Sequence, residues 1–82
     1  MYCVYILKSF KDGNLYIGRT NNFERRFKEH NSGNVKSTKS RIPFMLLEKI
    51  EVSLEEYSVK LELEYKKSYK REEIKRKYGG FA

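Results

Sequence analysis

YCVYILKSFKDGNLYIGRT, residues 2–20, reads as two apolar runs, Tyr2–Phe10 and Leu15–Thr20, around Lys11-Asp12-Gly13-Asn14. An Asp-Gly pair between β-rich runs is among the strongest short hairpin signals. With that pair at the turn tip, Ser9 faces Tyr16, Leu7 faces Gly18 and Tyr5 faces Thr20. Side chains alternate with period two, so Tyr5, Tyr16 and Gly18 share one face of the hairpin. The first run has Tyr2, Val4, Ile6 and Phe10 on one face and Cys3, Tyr5 and Leu7 on the other. Apolar residues on both faces predict a strand covered on both sides and central in its sheet. A glycine inside a strand packs nothing, so Gly18 marks close approach by another group. That group is either a substrate phosphate or the helix that follows.

From Asn22 to Asn31 the period becomes helical. Asn21 or Asn22 can cap the start, and Glu24 suits the positive end of the helix dipole. Phe23 and Phe27, four residues apart, form the buried stripe. Arg26 and His30 form a second such pair, rotated by about 100° from the first, and project together at the edge of the core. The alternative places them on a solvated basic face with Arg25 and Lys28.

Ser32–Arg41 has no apolar period and is expected to be an exposed, mobile, basic loop. Its hydroxyls and cations, among them Thr38, Lys39 and Arg41, suit phosphate oxygens. Pro43 then introduces a third strand, Phe44–Val52, apolar enough at its start to pair in the sheet interior. Ser53 and Glu56 make a capping box for a helix whose Leu54, Tyr57, Leu61 and Tyr65 face the core. Ser68 opens a last helix, with Ile74 and Tyr78 inward and Gly79-Gly80 as the stop. The expected fold class is α+β, a three-stranded antiparallel sheet flanked by helices in the order β-β-α-β-α-α.

Eighty-two residues are expected to form one domain, 1–82. One cysteine, Cys3, leaves no internal disulfide and no cysteine-rich zinc site, and its apolar strand suits a buried structural thiol. No signal-peptide pattern or membrane-length apolar run is visible, so the expected compartment is the cytoplasm, with no membrane partner. Eighteen Lys and Arg against eleven Asp and Glu give a formal charge of +7. That balance fits a polyanion partner, nucleic acid above all, and equally fits a charge kept for solubility.

Several of these residues recur in a known order. Cys3-Val4-Tyr5, Tyr16-Ile17-Gly18 followed by Arg19-Thr20, and Asn22-x-x-x-Arg26-x-x-x-His30 resemble the signature of the GIY-YIG nuclease superfamily, most closely its small single-domain members. Thr38, Arg41 and Pro43 match in the following loop, and Glu62 and Lys66 fall where the family keeps a metal-binding glutamate and a lysine one turn later. The resemblance covers residues 2 to about 70. The first signature half keeps its tyrosine without its glycine, and the chain has no asparagine after Asn34.

The resemblance implies a metal-dependent endonuclease acting on DNA, with RNA as the other possible strand. Glu62 would hold one Mg²⁺ or Mn²⁺, which keeps several waters and contacts the scissile phosphate and the leaving 3′ oxygen. Glu62 lies nineteen residues after Pro43, as in the family pattern; Glu64 is the second choice. As Glu62 precedes Lys66 by four residues, the pair also fits an ordinary helix ion pair. Arg26 would stabilise the phosphate charge with its planar fork. Tyr16 is the base that activates water, with Tyr5 orienting it or sharing the proton. A phenol ordinarily titrates near ~10, so nearby arginine and metal must ease that transfer. His30 is the alternative base or a proton shuttle. Gly18, Arg19, Asn22, Thr38, Lys39, Arg41 and Lys66 would meet the substrate. With no added domain to read bases expected, nucleic-acid shape or a partner protein would direct it. Two rival readings use the same residues: a nucleic-acid-binding module that does not cut, and an interaction protein whose charge serves solubility.

Overall fold

Where the apolar side chains fall determines the layers. The computed structural model describes residues 1–78, which run β1 (Tyr2–Ser9), β2 (Leu15–Thr20), α1 (Phe23–Asn31), a 3-10 turn (Lys39–Arg41), β3 (Phe44–Val52), α2 (Glu55–Tyr65) and α3 (Ser68–Tyr78). The sheet is antiparallel in the order β2-β1-β3. Fold class and element order are those expected, and β1 is central, as its two apolar faces require. One face buries Val4, Ile6, Leu15 and Ile17 against Tyr65 of α2 and Ile74 of α3. The other buries Cys3, Tyr5, Leu7 and Phe44, with Phe23 and Phe27 of α1 packed against them.

The hairpin register differs from expectation by two residues. Tyr5 lies opposite Gly18 and Leu7 opposite Tyr16. Asp12-Gly13 does not form a two-residue turn. Ser9 N donates to Asn14 O at 3.0 Å, Gly13 N donates to Ser9 O at 2.9 Å, and Gly13 takes φ +72°. Ser9 Oγ accepts from the amides of Lys11 and Asp12, and Asp12 Oδ1 accepts from Asn14 N, so the longer loop satisfies its own donors. A shift of two keeps the face parity, and Tyr5, Tyr16 and Gly18 still share one face. Phe10 leaves the strand for this loop and is exposed, against expectation.

β3 is an edge strand, not an interior one. Its apolar start serves both faces through a bulge: Ile6 pairs with Glu48 and Leu7 with Leu46, which leaves Leu47 without a partner. Leu46 then packs on the α1 side, while Leu47 and Ile50 pack on the α2–α3 side.

The capping box at Ser53 does not form. Leu54 takes the cap position, with Tyr57 N and Ser58 N both reaching its carbonyl. Leu54 and Tyr57 are exposed and Ser58 is fully buried. The stripes 54-57-61-65 and 58-61-65 share their last members, so spacing could not separate them. Small Ser58 lets the first turn lie close to the sheet, and its hydroxyl is satisfied by Glu55 O at 2.5 Å. On α3, Ile74 is buried as expected. Tyr78 turns outward and donates to Glu48 Oε2 at 2.8 Å, beside Lys77 Nζ at 3.2 Å. The expected stop at Gly79-Gly80 lies outside the described residues.

Segment 32–41 is also not the exposed loop expected. Val35 and Thr38 are buried, and Thr38 N and Lys39 N both reach Val35 O. Arg41 joins this segment to the hairpin. Its Nε lies 2.6 Å from Asp12 Oδ2, its Nη2 donates to Leu15 O, and its carbonyl accepts from Ser9 Oγ at 2.5 Å. The Arg41 guanidinium, with the amide of Asn14, pulls the Asp12 carboxyl down to about 2.

Candidate active site

Asn22 sets the helix that carries half of the site. Its Oδ1 accepts from Arg25 N at 3.2 Å, so α1 starts at Phe23 with Arg26 and His30 one turn apart on the same side. Phe23 and Phe27 stack at 5.4 Å and fix that side against the sheet. The rings of Tyr5 and Tyr16 meet His30 edge-on, with centroids 5.8 and 4.9 Å away. Asn31 closes the far end: Phe44 N donates to its Oδ1 at 2.7 Å and its Nδ2 donates to Phe44 O at 3.1 Å. Sequence reading missed Asn31, because a terminal helical asparagine gives no sign of which strand it reaches.

Gly18 is the floor of the site. A Cβ there would lie 2.6 Å from Tyr5 Oη, 2.7 Å from Tyr5 Cζ and 3.1 Å from Tyr16 Cε1. Within the chain, the group that approaches Gly18 is therefore the Tyr5 ring and not the helix.

His30 is fully buried. Its Nε2 lies 3.0 Å from Tyr5 Oη and its Nδ1 lies 2.8 Å from Thr38 Oγ1. Thr38 directs its hydroxyl hydrogen to Val35 O at 3.5 Å, which leaves Oγ1 to accept from Nδ1–H. Nε2 is then the lone-pair nitrogen that accepts the Tyr5 hydroxyl hydrogen. Burial, with the Arg26 charge adding to it, lowers the imidazole to about 4. Burial, then the charge of Tyr16, pushes the Tyr5 phenol up to about 12, and Arg26 opposes that rise. Thr38 thus lies inside the fold, bonded to His30, rather than on a surface that meets substrate.

Tyr16 is half-buried, as is Arg26, whose Nη1 lies 3.3 Å from Glu29 Oε1. Glu62 lies beyond the edge of β2, its side chain 17% exposed. Leu15, Ile17 and Arg19 point to the opposite face of β2 from Tyr16 and Gly18. Arg19 holds Glu62 there, with its Nε 3.3 Å from Oε1, and its Nη1 reaches Glu55 at 3.5 Å. Lys66 Nζ lies 3.5 Å from the other Glu62 oxygen. The Glu62 charge is felt at the Tyr5 phenol. Glu64 lies on another side of α2, paired with Lys67 at 3.1 Å and with the Tyr69 hydroxyl. The site therefore wraps around edge strand β2 at Gly18. Lys39 is exposed on the 3-10 turn, and Arg41 spends its guanidinium on Asp12 and Leu15.

Among the described residues no three His, Cys, Asp or Glu gather as a metal cage. The donor set is one hard carboxylate, already facing cationic groups on both oxygens. That fits a Mg²⁺-type ion held by a single carboxylate, waters and a phosphate, and does not fit an all-protein site.

The chain has one histidine, so its titration can be read cleanly. The folded imidazole binds its proton more weakly than the unfolded one, whose value is near 6.5. The stability it contributes is therefore complete above pH 6.5 and lost as pH falls toward 4. We expect the His30 resonances to stay those of a neutral Nδ1–H imidazole from pH 7.5 to 5.5. Thr38→Val should mix the two tautomers without raising the midpoint, because a buried imidazolium would lose the acceptor of its Nδ1–H. A wild-type midpoint near 6.5 would contradict the buried relay.

Residues 1–78 match the family model of the GIY-YIG catalytic domain. A UPF0213 protein of Bacillus licheniformis is 51% identical over 43 residues, 51% of this chain and 43% of that protein. A UPF0213 protein of Clostridium perfringens is 52% identical over 48 residues, 57% of this chain and 50% of that protein. The matched segments span about half the length of these curated relatives. The solution NMR structure of a UPF0213 protein from Bacillus halodurans superposes with a TM-score of 0.59 at 37% identity, covering 98% of this chain and 88% of that one. No helix among the described residues is long and apolar enough to cross a membrane.

Proposed function

The chain belongs to the GIY-YIG catalytic-domain family, and from that premise we propose that it is a divalent-metal-dependent endonuclease that hydrolyses DNA phosphodiesters. The family points to the nuclease superfamily and to a nucleic-acid substrate. One observation carries the finer reading: Tyr5, Tyr16, Arg26 and His30 converge over a glycine floor, with Glu62 held at the rim. A surface used only for binding has no need of a buried histidine relay beneath its tyrosines.

The residues divide by exposure. His30 has no open path to water, so it acts through Tyr5 rather than as the base itself. Tyr5 is equally buried, and the His30–Thr38 relay fixes its hydroxyl. Tyr16 is left as the group able, as its phenolate, to take the proton of an attacking water. The water oxygen then bonds to phosphorus as the 3′ oxygen departs. Arg26 lies beside both tyrosines and can direct two hydrogen bonds to the non-bridging phosphate oxygens. Glu62 would hold the divalent ion, which supplies charge neutralisation to the phosphate and the leaving oxygen. Substrate entry would have to exchange the Arg19 and Lys66 contacts on Glu62 for that ion. Those same contacts are what a non-cutting binding module would retain, so cleavage must be tested directly.

Nicking of supercoiled plasmid in Mg²⁺, abolished by EDTA, is the expected result. In single-turnover cleavage Arg26→Lys should fall at least about tenfold with DNA affinity within about threefold, since lysine keeps the charge and loses the fork. Arg25→Lys, exposed on another side of α1, should change little. Equal small losses for both would remove Arg26 from the site.

A further inference from the structure

Beside Tyr16 a cleft of about 260 Å³ opens away from the catalytic site, sharing Tyr16 and Lys66 with it and lined also by Leu15, Ile17 and Arg71. One wall is the free edge of β2, because β1 pairs only with the other edge of that strand. The opposite wall is the junction of α2 and α3, which brings Lys66 and Arg71 to the same opening. The cleft continues the catalytic site in a definite direction. Arg19 bonds Glu55 in the first turn of α2, and Lys66 just past its end lines the cleft with Leu15, so α2 runs antiparallel to β2 from Arg19 toward Leu15.

Charge pairing leaves two cations of α3 without a carboxylate among the described residues, Arg71 and Arg76, and of these Arg71 lines the cleft. Around it Lys67 pairs with Glu64, Lys70 with Glu73, Lys75 with Glu72 and Lys77 with Glu48. Arg71 meets no carboxylate among the described residues, and it is exposed at the cleft. A chain that neutralises most cations of α3 leaves this one available next to Lys66. Two cations beside an open strand edge take a phosphodiester with its sugar, the anion on the cations and the sugar along the backbone edge of Leu15 and Ile17, whose side chains are buried in the core.

We propose that this cleft binds a phosphodiester of the nucleic-acid strand flanking the scissile one, with Arg71 as its principal contact and Lys66 as the bridge to the catalytic site. A strand rises about 3.3 Å per residue, so Gly18 to Leu15 spans roughly 10 Å, on the order of one to three nucleotides. The placement rests on the nuclease reading of the neighbouring site, and it gives that reading a direction for the bound strand along the β2 edge. Arg71 touches no reacting atom; its effect is on binding of substrates long enough to reach it.

The test is binding of fluorescein-labelled DNA oligonucleotides of two to twelve nucleotides, read by anisotropy without added metal across a salt series. For the longer oligonucleotides Arg71→Ala should lose at least about fivefold in affinity and flatten the log–log salt slope by about 0.7–0.9, one phosphate contact. On the dinucleotide it should lose less than twofold. Arg76→Ala, exposed on another side of α3, should lose less than twofold throughout. Arg71→Gln, which keeps the three-carbon stem and a polar end without the charge, must repeat the alanine result. Equal losses for Arg71 and Arg76, or no loss at Arg71, would overturn the subsite. If Arg71 behaves as expected while the plasmid is never nicked, the subsite stands and the nuclease reading fails. If the plasmid is nicked and Arg71 is silent, the reverse holds.

Discussion

Glu62→Gln is expected to abolish Mg²⁺-dependent cleavage, a loss of about a thousandfold or more, with DNA affinity and melting temperature nearly unchanged. Glutamine keeps the shape and removes the carboxylate that Arg19 and Lys66 hold at the rim of the tyrosine–arginine cluster. Hard divalent ions require anionic oxygen when only one protein ligand is supplied. The cost to stability should be small, because the lost pairs with Arg19 and Lys66 lie at the surface, where such pairs are worth about 0–1 kcal/mol. Glu64→Gln is the control: its carboxylate faces Lys67 and Tyr69, away from the site, and cleavage should stay within about twofold. An active Glu62→Gln beside an inactive Glu64→Gln would move the metal to the other side of α2 and sink the proposed site.

The sequence was informative wherever a period or a paired motif constrained the answer. Alternation along Tyr2–Ser9 made β1 central, and it placed Tyr5, Tyr16 and Gly18 on one face even though the register was off by two. The error was harmless because any even shift preserves the face. The spacing of Asn22, Arg26 and His30 was legible for a similar reason: a capped helix must bring them round together. Thr38 and Val35 were not legible. A single valine in a polar run has no period, so nothing signalled a buried turn, and Thr38 was read as a phosphate contact when it holds His30. Arg41 was read the same way, yet it is committed to Asp12. Both contacts were hidden for one reason: a polar side chain near a site looks alike whether it faces a ligand or another loop. Ser53 and Glu56 matched a capping box in letters, but the helix entered through Leu54 because Ser58 had to approach the sheet.

Gly18→Ala should show how tightly the tyrosine pair is held. The added methyl would sit 2.6 Å from Tyr5 Oη and 2.7 Å from Cζ, well inside contact distance. In a flexible surroundings the ring would swing aside at little cost. Here it has nowhere to go: Tyr5 is fully buried, its hydroxyl is bonded to His30, and its ring meets Phe23 at 5.6 Å. Relief requires either breaking the Tyr5–His30 contact or bending β2 away from β1. Overpacking of this kind costs about 1–3 kcal/mol, or a fall in melting temperature of about 5–20 °C for a domain of this size. Cleavage should fall further than stability implies, at least about a hundredfold below the melting range, because either route displaces Tyr16 as well. The double variant with Tyr5→Leu separates clash from backbone effect. With the ring removed, adding the alanine methyl should cost little further stability. If Gly18→Ala alone melts within about 2 °C of wild type and still cuts, the glycine is not the floor of the site and Tyr5 is free to move. The same cost in both backgrounds would assign the effect to the β2 backbone instead of the ring.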